Sequence, residues 1–331
     1  MGVFMSQVKR IVFVMDAYAS LNLETETSLL LMEELIGRGH QVFWLEVHGV
    51  SLQGGCLKAK VSQVKSVQNF KLLPCSEVCL DNFDALLLRI DPPVDTEYLH
   101  LTYLLSFLSP SVKQFNAVAS LRNFNEKLLP LKWPEVCPAT LVSRNIDDFK
   151  QFLALHREIV MKPLGDCSGR GIQRFSLNDI DSAAFYGLFA QESSASAYFM
   201  AQEFLDAVEY GDKRIFLVNG EVAGFVNRIP KTGEFLANIH QGATCEATDL
   251  TEFELNTINK IAPFLKAQGL LFVGLDFIGG YLTEVNITSP SAIRQINQVM
   301  GVNAHKLMVD SMLGSFAKGR LSHCCSERNA A

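Results

Sequence analysis

Residues 270–278 of this chain, Leu-Leu-Phe-Val-Gly-Leu-Asp-Phe-Ile, are apolar apart from Asp276 and read as a buried strand. Gly279-Gly280 then offers a turn, and Tyr281-Leu282-Thr283-Glu284-Val285-Asn286 a second strand. A carboxylate in a buried strand needs a partner, a metal or a function. Glu284 and Asn286 are two apart, so on a strand they share a face. Asp276, Glu284 and Asn286 together are hard oxygen ligands suited to Mg²⁺ or Mn²⁺, whose shell water and nucleotide phosphate would complete. A solvated hairpin edge with ordinary surface charges is the competing reading, and the apolar setting of Asp276 weighs against it. A two-residue turn pairing Ile278 with Tyr281 would set Asp276 opposite Thr283 and turn Glu284 to the other face. One metal held by both carboxylates therefore predicts a three- or five-residue connection with a bulge.

The chain has 331 residues, room for two or three domains, with 48% hydrophobic and 19% charged residues. That composition is globular rather than disordered. A net charge of −6 argues against a basic nucleic-acid-binding surface. No apolar stretch reaches membrane-spanning length and the start lacks a secretory core, so the expected location is the cytoplasm, with no membrane or nucleic-acid partner. Met1-Gly2-Val3-Phe4-Met5-Ser6 fits a loose myristoylation pattern, against which stands an upstream start codon with Met5 as the true start. The eight cysteines form no C-x-x-C framework and the seven histidines no H-x-x-x-H pair, which predicts free thiols and no zinc site. Cys75 and Cys79 are spaced to share a helical face.

Strand patterns over residues 9–15 and 41–47 flank a helical pattern over 27–38 closed by Gly39. This β-α-β opening predicts a parallel, Rossmann-like sheet, but no G-x-G-x-x-G accompanies it. Residues 85–90 read as a strand stopped by Asp91-Pro92-Pro93, and 98–108 as a helix. Prolines 130, 134 and 138 mark a boundary. Strands are predicted at 140–144, 158–162, 199–204 and 213–218, the last turning at Asn219-Gly220. Helices are predicted at 146–155 and 250–268. Residues 230–248 are polar and irregular, the mark of a functional loop. From about Ala317 the chain reads as a helix end and a polar tail.

Between strands lies a glycine-rich loop, residues 165–171, whose Gly169 and Gly171 would let backbone N–H groups approach phosphate. An ordinary hairpin loop reads the same way. Lys162 precedes it at the end of an apolar strand and suits a phosphate as a point charge. Lys127, in Asn125-Glu126-Lys127, is a second such candidate. Arg214, Arg228 and Arg294 lie near strand ends, where guanidinium could clamp phosphate or carboxylate. Each could equally be a surface ion-pair partner.

Taken in order, these pieces resemble the ATP-grasp enzymes and, more narrowly, bacterial glutathione synthetases. The matching segments include Val14-Met15-Asp16, Arg89 with Asp91-Pro92-Pro93, Asn125-Glu126-Lys127, Lys162-Pro163-Leu164, Gly211-Asp212-Lys213-Arg214, Arg228-Ile229-Pro230, Gly274-Leu275-Asp276 and Thr283-Glu284-Val285-Asn286 through Ser289-Pro290 to Ile293-Arg294. The resemblance implies an α/β ATP-grasp fold with a substrate-binding Rossmann-like domain over 1–123, a lid over 124–205, a catalytic domain over 206–316 and a tail over 317–331. It implies ATP as co-substrate, contacted by Lys127, Lys162, Gly169 and Gly171, with Gln202, Glu203, Phe204 and Leu205 bordering adenine and Asp212 the ribose. Asp276, Glu284 and Asn286 would hold the metal, and Arg214, Arg228 and Arg294 would act on the transferring group. Asp16, Arg89, Asp91, Asn238 and Ser289 would bind substrate. In that family ATP phosphorylates the C-terminal carboxylate of γ-glutamylcysteine, and glycine attacks the acyl phosphate to give glutathione, ADP and phosphate. The family also suggests a homo-oligomer.

The chain departs from the pattern. Ile90 stands where the family usually has lysine, Asn116-Ala117-Val118 where it has Asn-Lys-Pro, and Leu236 and Gly242-Ala243-Thr244 where arginines are usual. The glycine loop begins Gly165-Asp166-Cys167-Ser168-Gly169. Two rivals follow, a related carboxylate–amine ligase for another peptide and amino acid, and a non-catalytic ATP-binding homologue. The intact metal and phosphate positions weigh against the second.

Overall fold

The computed structural model describes residues 7–23, 25–166, 169–190 and 198–326, with residues 190, 240 and 317–326 described by backbone alone. Cys167 and Ser168 of the glycine loop and the first six residues lie outside it.

The first sheet begins as the sequence predicts. β1 (Arg10–Met15) and β2 (Gln41–Glu46) are parallel, joined by α1 (Thr27–Gly37). The Glu26 side chain caps α1, accepting from the Ser28 N–H at 2.6 Å, and Gly39 leaves it with φ +83°. An antiparallel excursion follows that the sequence reading leaves unassigned: β3 (Val50–Gln53), β4 (Cys56–Ser66), β5 (Lys71–Leu72) and β6 (Ser76–Cys79). On β4, Leu57, Ala59 and Val61 are buried while Lys58 and Lys60 point outward, the alternation of a half-buried strand. Cys75 and Cys79 consequently belong to a strand and its approach, not to a helix. β7 (Ala85–Leu88) and β8 (Lys113–Gln114) complete the order β3-β4-β2-β1-β7-β8, with β5 and β6 on the free edge of β4. α2 (Thr96–Leu105) and α3 (Val118–Asn123) follow β7 and β8.

A smaller antiparallel sheet comes next, ordered β11-β10-β12-β9 from β9 (Thr140–Ser143), β10 (Glu158–Pro163), β11 (Gln173–Ser176) and β12 (Phe199–Glu203). With α4 (Ile146–His156) and α5 (Ala183–Ala190) it has a core of its own around Phe149, Phe175 and Phe185. The third sheet, ordered β15-β14-β13-β16-β17, comprises β13 (Asp212–Val218), β14 (Glu221–Ile229), β15 (Thr244–Glu246), β16 (Phe272–Ile278) and β17 (Tyr281–Asn286). α6 (Glu252–Ala267) opens with a Thr251/Glu254 capping box, and α7 (Ile293–Met300) and α8 (Ala304–Ser326) close the chain. The first and third sheets share their cores: Phe13, Met15 and Leu31 pack in one cluster with Phe216, Phe272 and Met308. Two sequence expectations change. α8 runs to Ser326, past residue 317, and the 230–248 segment carries β15, hydrogen-bonded to β14.

The β16–β17 hairpin overturns the expected connection and keeps its purpose. Ile278 pairs with Tyr281 across a two-residue turn whose Gly279 and Gly280 have φ +57° and +87°, a conformation that glycine adopts without strain. Phe277 pairs with Leu282, but Asp276 pairs with Glu284. Thr283 is thus an extra residue in β17, a bulge within the strand rather than in the loop. Its hydroxyl donates to the Asp276 carbonyl oxygen at 3.1 Å. The slip of one residue places Glu284 on the face of Asp276.

Candidate active site

Strand register assembles a charged face on the third sheet. Arg214 on β13 sits opposite Asp276 on β16, and Asp212 opposite Arg228 on β14. Arg214 grips Asp276 with two bonds, Nε to Oδ1 at 2.5 Å and Nη2 to Oδ2 at 2.9 Å. Arg228 Nη2 lies 3.1 Å from Asp276 and 2.7 Å from Asp212. The Asn286 amide donates to Asp276 Oδ2 at 3.1 Å. Gly274 leaves room for this packing, since a Cβ there would stand 3.2 Å from the Arg214 side chain, tighter than an ordinary contact.

These charges are buried, and each is tolerated because it is paired. Burial pushes Asp276 up, but the Arg214 and Arg228 guanidinium groups outweigh it and hold the carboxyl below its ordinary range. Burial wins at Asp212, which is pushed up to about 6 although Arg228 opposes it. Two buried atoms here, Asp212 Oδ1 and Arg228 Nη2, lack a well-aligned hydrogen bond. Among the described residues no group of three or more His, Cys, Asp or Glu is set to hold a metal alone. Two facing carboxylates and an amide fit a hard divalent cation that takes further oxygens from a phosphate ligand.

Two clefts open from this face. The first runs between the second and third sheets, with Val160, Ile172, Leu205, Val208 and Ile278 as apolar walls and Lys127, Lys162, Asp212, Asp276 and Glu284 at its polar end. Gln202, Glu203, Phe204 and Gly169 also line it. Lys162 Nζ donates to Gln202 Oε1 at 2.7 Å, and burial lowers the lysine's proton affinity against the pull of Glu284. Lys127 Nζ donates to the Asp166 carbonyl. Gly169 has φ +78°, and a Cβ there would stand 2.9 Å from Asn238 Oδ1 and 3.3 Å from Leu236. The glycine permits this close approach of residue 169 to the Leu236 and Asn238 side chains.

The second cleft, about 510 Å³, lies between the first and third sheets and is lined by Asp16, Arg89, Asp91, Ser289, Arg214, Arg228, Asn238, Glu284 and Asn286. Its volume is usual for a small-molecule site. Arg89 is held by Ser28 Oγ at 3.0 Å and the Pro290 carbonyl at 3.1 Å. Asp16 accepts from the Asp91 N–H at 2.9 Å. Desolvation raises both carboxyls, and the Glu26 charge adds to it.

Two candidates stay outside both clefts. Arg294 donates to the Glu26 carbonyl at 3.3 Å, behind the second cleft, and Gly171 (φ +67°) shapes its loop against Pro163. Sequence reasoning passed over Arg170, which lines both clefts and donates to the Pro92 carbonyl at 2.6 Å, and Glu26, which lines the second. The signal for Glu26 was its place in the first strand-to-helix loop, the carboxyl edge where α/β sheets set their ligands. Ile90 lines neither cleft; it is buried in the same core cluster as Tyr98 and Leu101. Leu236 does line the first cleft. Asn116 bonds the Phe272 N–H and the Phe272 and Ile287 carbonyls, each at 2.7 Å, tying the first sheet to the third.

The family descriptions "Prokaryotic glutathione synthetase, N-terminal domain" and "Prokaryotic glutathione synthetase, ATP-grasp domain" match residues 10–122 and 126–301. The chain belongs to the prokaryotic glutathione synthetase family. The glutathione synthetase of Rhodopseudomonas palustris is 37% identical over 291 residues, covering 87% of this chain and 92% of that protein. That of Vibrio vulnificus strain YJ016 is 36% identical over 305 residues, covering 90% and 95%. Among solved structures, D-cycloserine synthetase DcsG superposes with a TM-score of 0.67 at 14% identity, covering 92% of this chain and 99% of that one. D-alanyl-alanine synthetase A from Vibrio cholerae gives 0.61 at 16% identity, covering 92% and 98%. These structures establish the ATP-grasp fold. The protein is an ATP-dependent carboxylate–amine ligase of the glutathione synthetase type, and the reading as a non-catalytic homologue is not favoured.

Proposed function

We propose that the first cleft takes ATP and the second takes γ-glutamylcysteine and glycine, with phosphoryl transfer where they meet. The observation that carries this division is Glu284, which lines both clefts beside Asp276 and Asn286. The apolar walls suit a flat base, and Lys127 and Lys162 lie at the same end as the carboxylates, where the triphosphate would reach. Glu284, Asn286 and Asp276 would hold the divalent cation, Mg²⁺ or Mn²⁺, which when bound neutralises phosphate charge. Arg214 and Arg228, fixed on adjacent strands, present positive charge toward the second cleft, where the acyl phosphate and then the tetrahedral oxyanion develop negative charge. Asp16, Arg89, Asp91, Ser289 and Asn238 bind and orient the dipeptide and glycine. The 165–171 and 230–248 segments close over the junction and exclude water from the acyl phosphate. The domains implied by this division are residues 1–123, 124–205 and 206–316. A cytoplasmic homo-oligomer is proposed on family grounds, and sedimentation of the purified protein tests the oligomer.

The test is ADP release by purified protein with γ-glutamylcysteine, with and without glycine, and mass analysis of the product. Glutathione formed stoichiometrically with ADP is expected. Turnover only with a different peptide or amine would overturn the substrate assignment and leave the ligase class standing.

A further inference from the structure

Away from both clefts, two side chains on the first sheet are set for chemistry the ligation does not use. Cys56 opens β4 and Cys79 closes β6. The strands are antiparallel with Lys58 opposite Cys79. Cys56 is two residues from Lys58, so it shares the face of Cys79 as a diagonal neighbour. Diagonal neighbours on a regular sheet stand about 7–8 Å apart at their Cα atoms. Here β6 ends at Cys79 and the chain swings into the Leu80–Asn82 turn, and the two Sγ atoms approach to 2.7 Å. Both thiols are half-buried and free. The hydrogen bond that Cys56 donates to Cys79, then desolvation, raise the Cys56 thiol above its ordinary value, while the Lys58 ammonium works the other way.

We propose that Cys56 and Cys79 form a reversible intramolecular disulfide by exchange with a small-molecule disulfide, namely the oxidised dimer of a γ-glutamylcysteinyl thiol. The choice of oxidant rests on the ligase reading; the dithiol geometry does not. One cysteine loses its proton to solvent and its thiolate attacks a sulfur of the dimer, expelling one thiolate and leaving a mixed disulfide. The second cysteine, deprotonated in turn, attacks the protein sulfur of that bond and expels the other thiolate. Two protein thiols are oxidised by two electrons, and one disulfide is reduced to two thiols. The cross-link would pin the start of β4 to the approach of β7, the strand that delivers Arg89 and Asp91 to the second cleft. Oxidation of the thiol pool would in this way reach the enzyme that makes the thiol.

The experiment incubates the reduced full-length protein with glutathione disulfide at several ratios to glutathione, blocks remaining thiols by alkylation and maps peptides by mass. The expected product is a Cys56–Cys79 cross-link that forms faster as pH rises and is reversed by excess glutathione. Cys56→Ser and Cys79→Ser should each abolish it and leave at most a mixed disulfide on the surviving cysteine. Exposed Cys75 serves as the internal control. Mixed disulfides on Cys75 with no Cys56–Cys79 cross-link in the wild type would overturn the proposal, as would Cys75 pairing with either cysteine instead. Turnover measured in the same samples reports on the ligase reading separately, because the cross-link is read by mass alone.

Discussion

Asp276 and Glu284, the carboxylates proposed to hold the metal, differ in what holds them, and their variants should separate function from stability. Asp276 anchors two buried arginines. Asp276→Asn leaves part of that charge uncompensated, which typically costs about 3–5 kcal/mol, so it should lower both the melting temperature and the activity. Glu284→Gln nearly keeps shape and removes a metal charge at the cleft junction. Turnover should fall by orders of magnitude with an unchanged melt, and wild-type rates at limiting Mg²⁺ would contradict the assignment. Ile90 gives a contrasting case. Lysine is usual at this position in the family, but here the side chain is core. Ile90→Lys should instead destabilise the fold by the burial cost of a charge, which denaturation measures directly. Asp212 makes a pH prediction. Its carboxyl is raised from 3.8 to about 6, so between those values the native state binds more protons than the unfolded state. Stability contributed by this group is therefore present at low pH and lost as pH rises through about 6. Asp276 has the opposite sign and acts at lower pH, where its carboxyl takes up a proton. The stability difference between wild type and Asp212→Asn should shrink from pH 4 toward pH 7, as measured by urea denaturation; a constant difference would mean Asp212 is ionised throughout.

At the scale of elements, the extra residue at Thr283 is what sets Glu284 opposite Asp276, since the same sequence paired without a bulge would put Thr283 there. Deleting Thr283 would leave a regular two-residue hairpin in which Asp276 still pairs with Glu284 and Gly274 with Asn286. The deletion variant should therefore fold and keep Mg²⁺-dependent turnover. Loss of Mg²⁺ dependence with the fold intact would show that the bend of the bulge, and not the register alone, aims the Glu284 side chain. The hairpin also marks how far sequence reaches. That Asp276 and Glu284 must share a face followed from the chemistry, and Gly279-Gly280 signalled the turn. Where the extra residue would go did not follow, since a bulge is set by contacts such as the Thr283 hydroxyl on the Asp276 carbonyl rather than by local preference. The β3–β6 excursion was illegible for a related reason. Its strands are short and lean on an edge, so only β4 carries the alternating pattern, and its polar lysines blur it. By contrast β1, α1 and β2 announced themselves through long apolar runs and a glycine stop. Arg294 stood beside a matching motif, but its side chain turns to the Glu26 carbonyl, an orientation that only the packing of α7 determines.

Across the whole molecule, the first and third sheets share their cores while the small sheet packs around its own. Two bodies therefore meet over the active site, and polar contacts among the described residues join them. The Val94 N–H donates to the Gly165 carbonyl at 3.0 Å, Arg170 to the Pro92 carbonyl at 2.6 Å, and the Asn125 amide to the Leu164 carbonyl at 2.7 Å. Each of these three ends on the strand leading from the first cleft into the glycine loop, or on that loop itself. The first two join that region to the Asp91–Val94 segment at the rim of the second cleft. A nucleotide that orders the glycine loop would thereby order the dipeptide cleft, and the reverse. By linkage the effects must be equal. A non-hydrolysable ATP analogue should tighten γ-glutamylcysteine binding, and the dipeptide should tighten the analogue by the same factor, about 5–150-fold if the coupling has the usual strength. Arg170→Ala should shrink that factor because it cuts one of the links. Calorimetric titration of each ligand, alone and with the other present, measures both directions. A factor of one in the wild type would mean that the two clefts fill independently and that the links between the sheets are structural only.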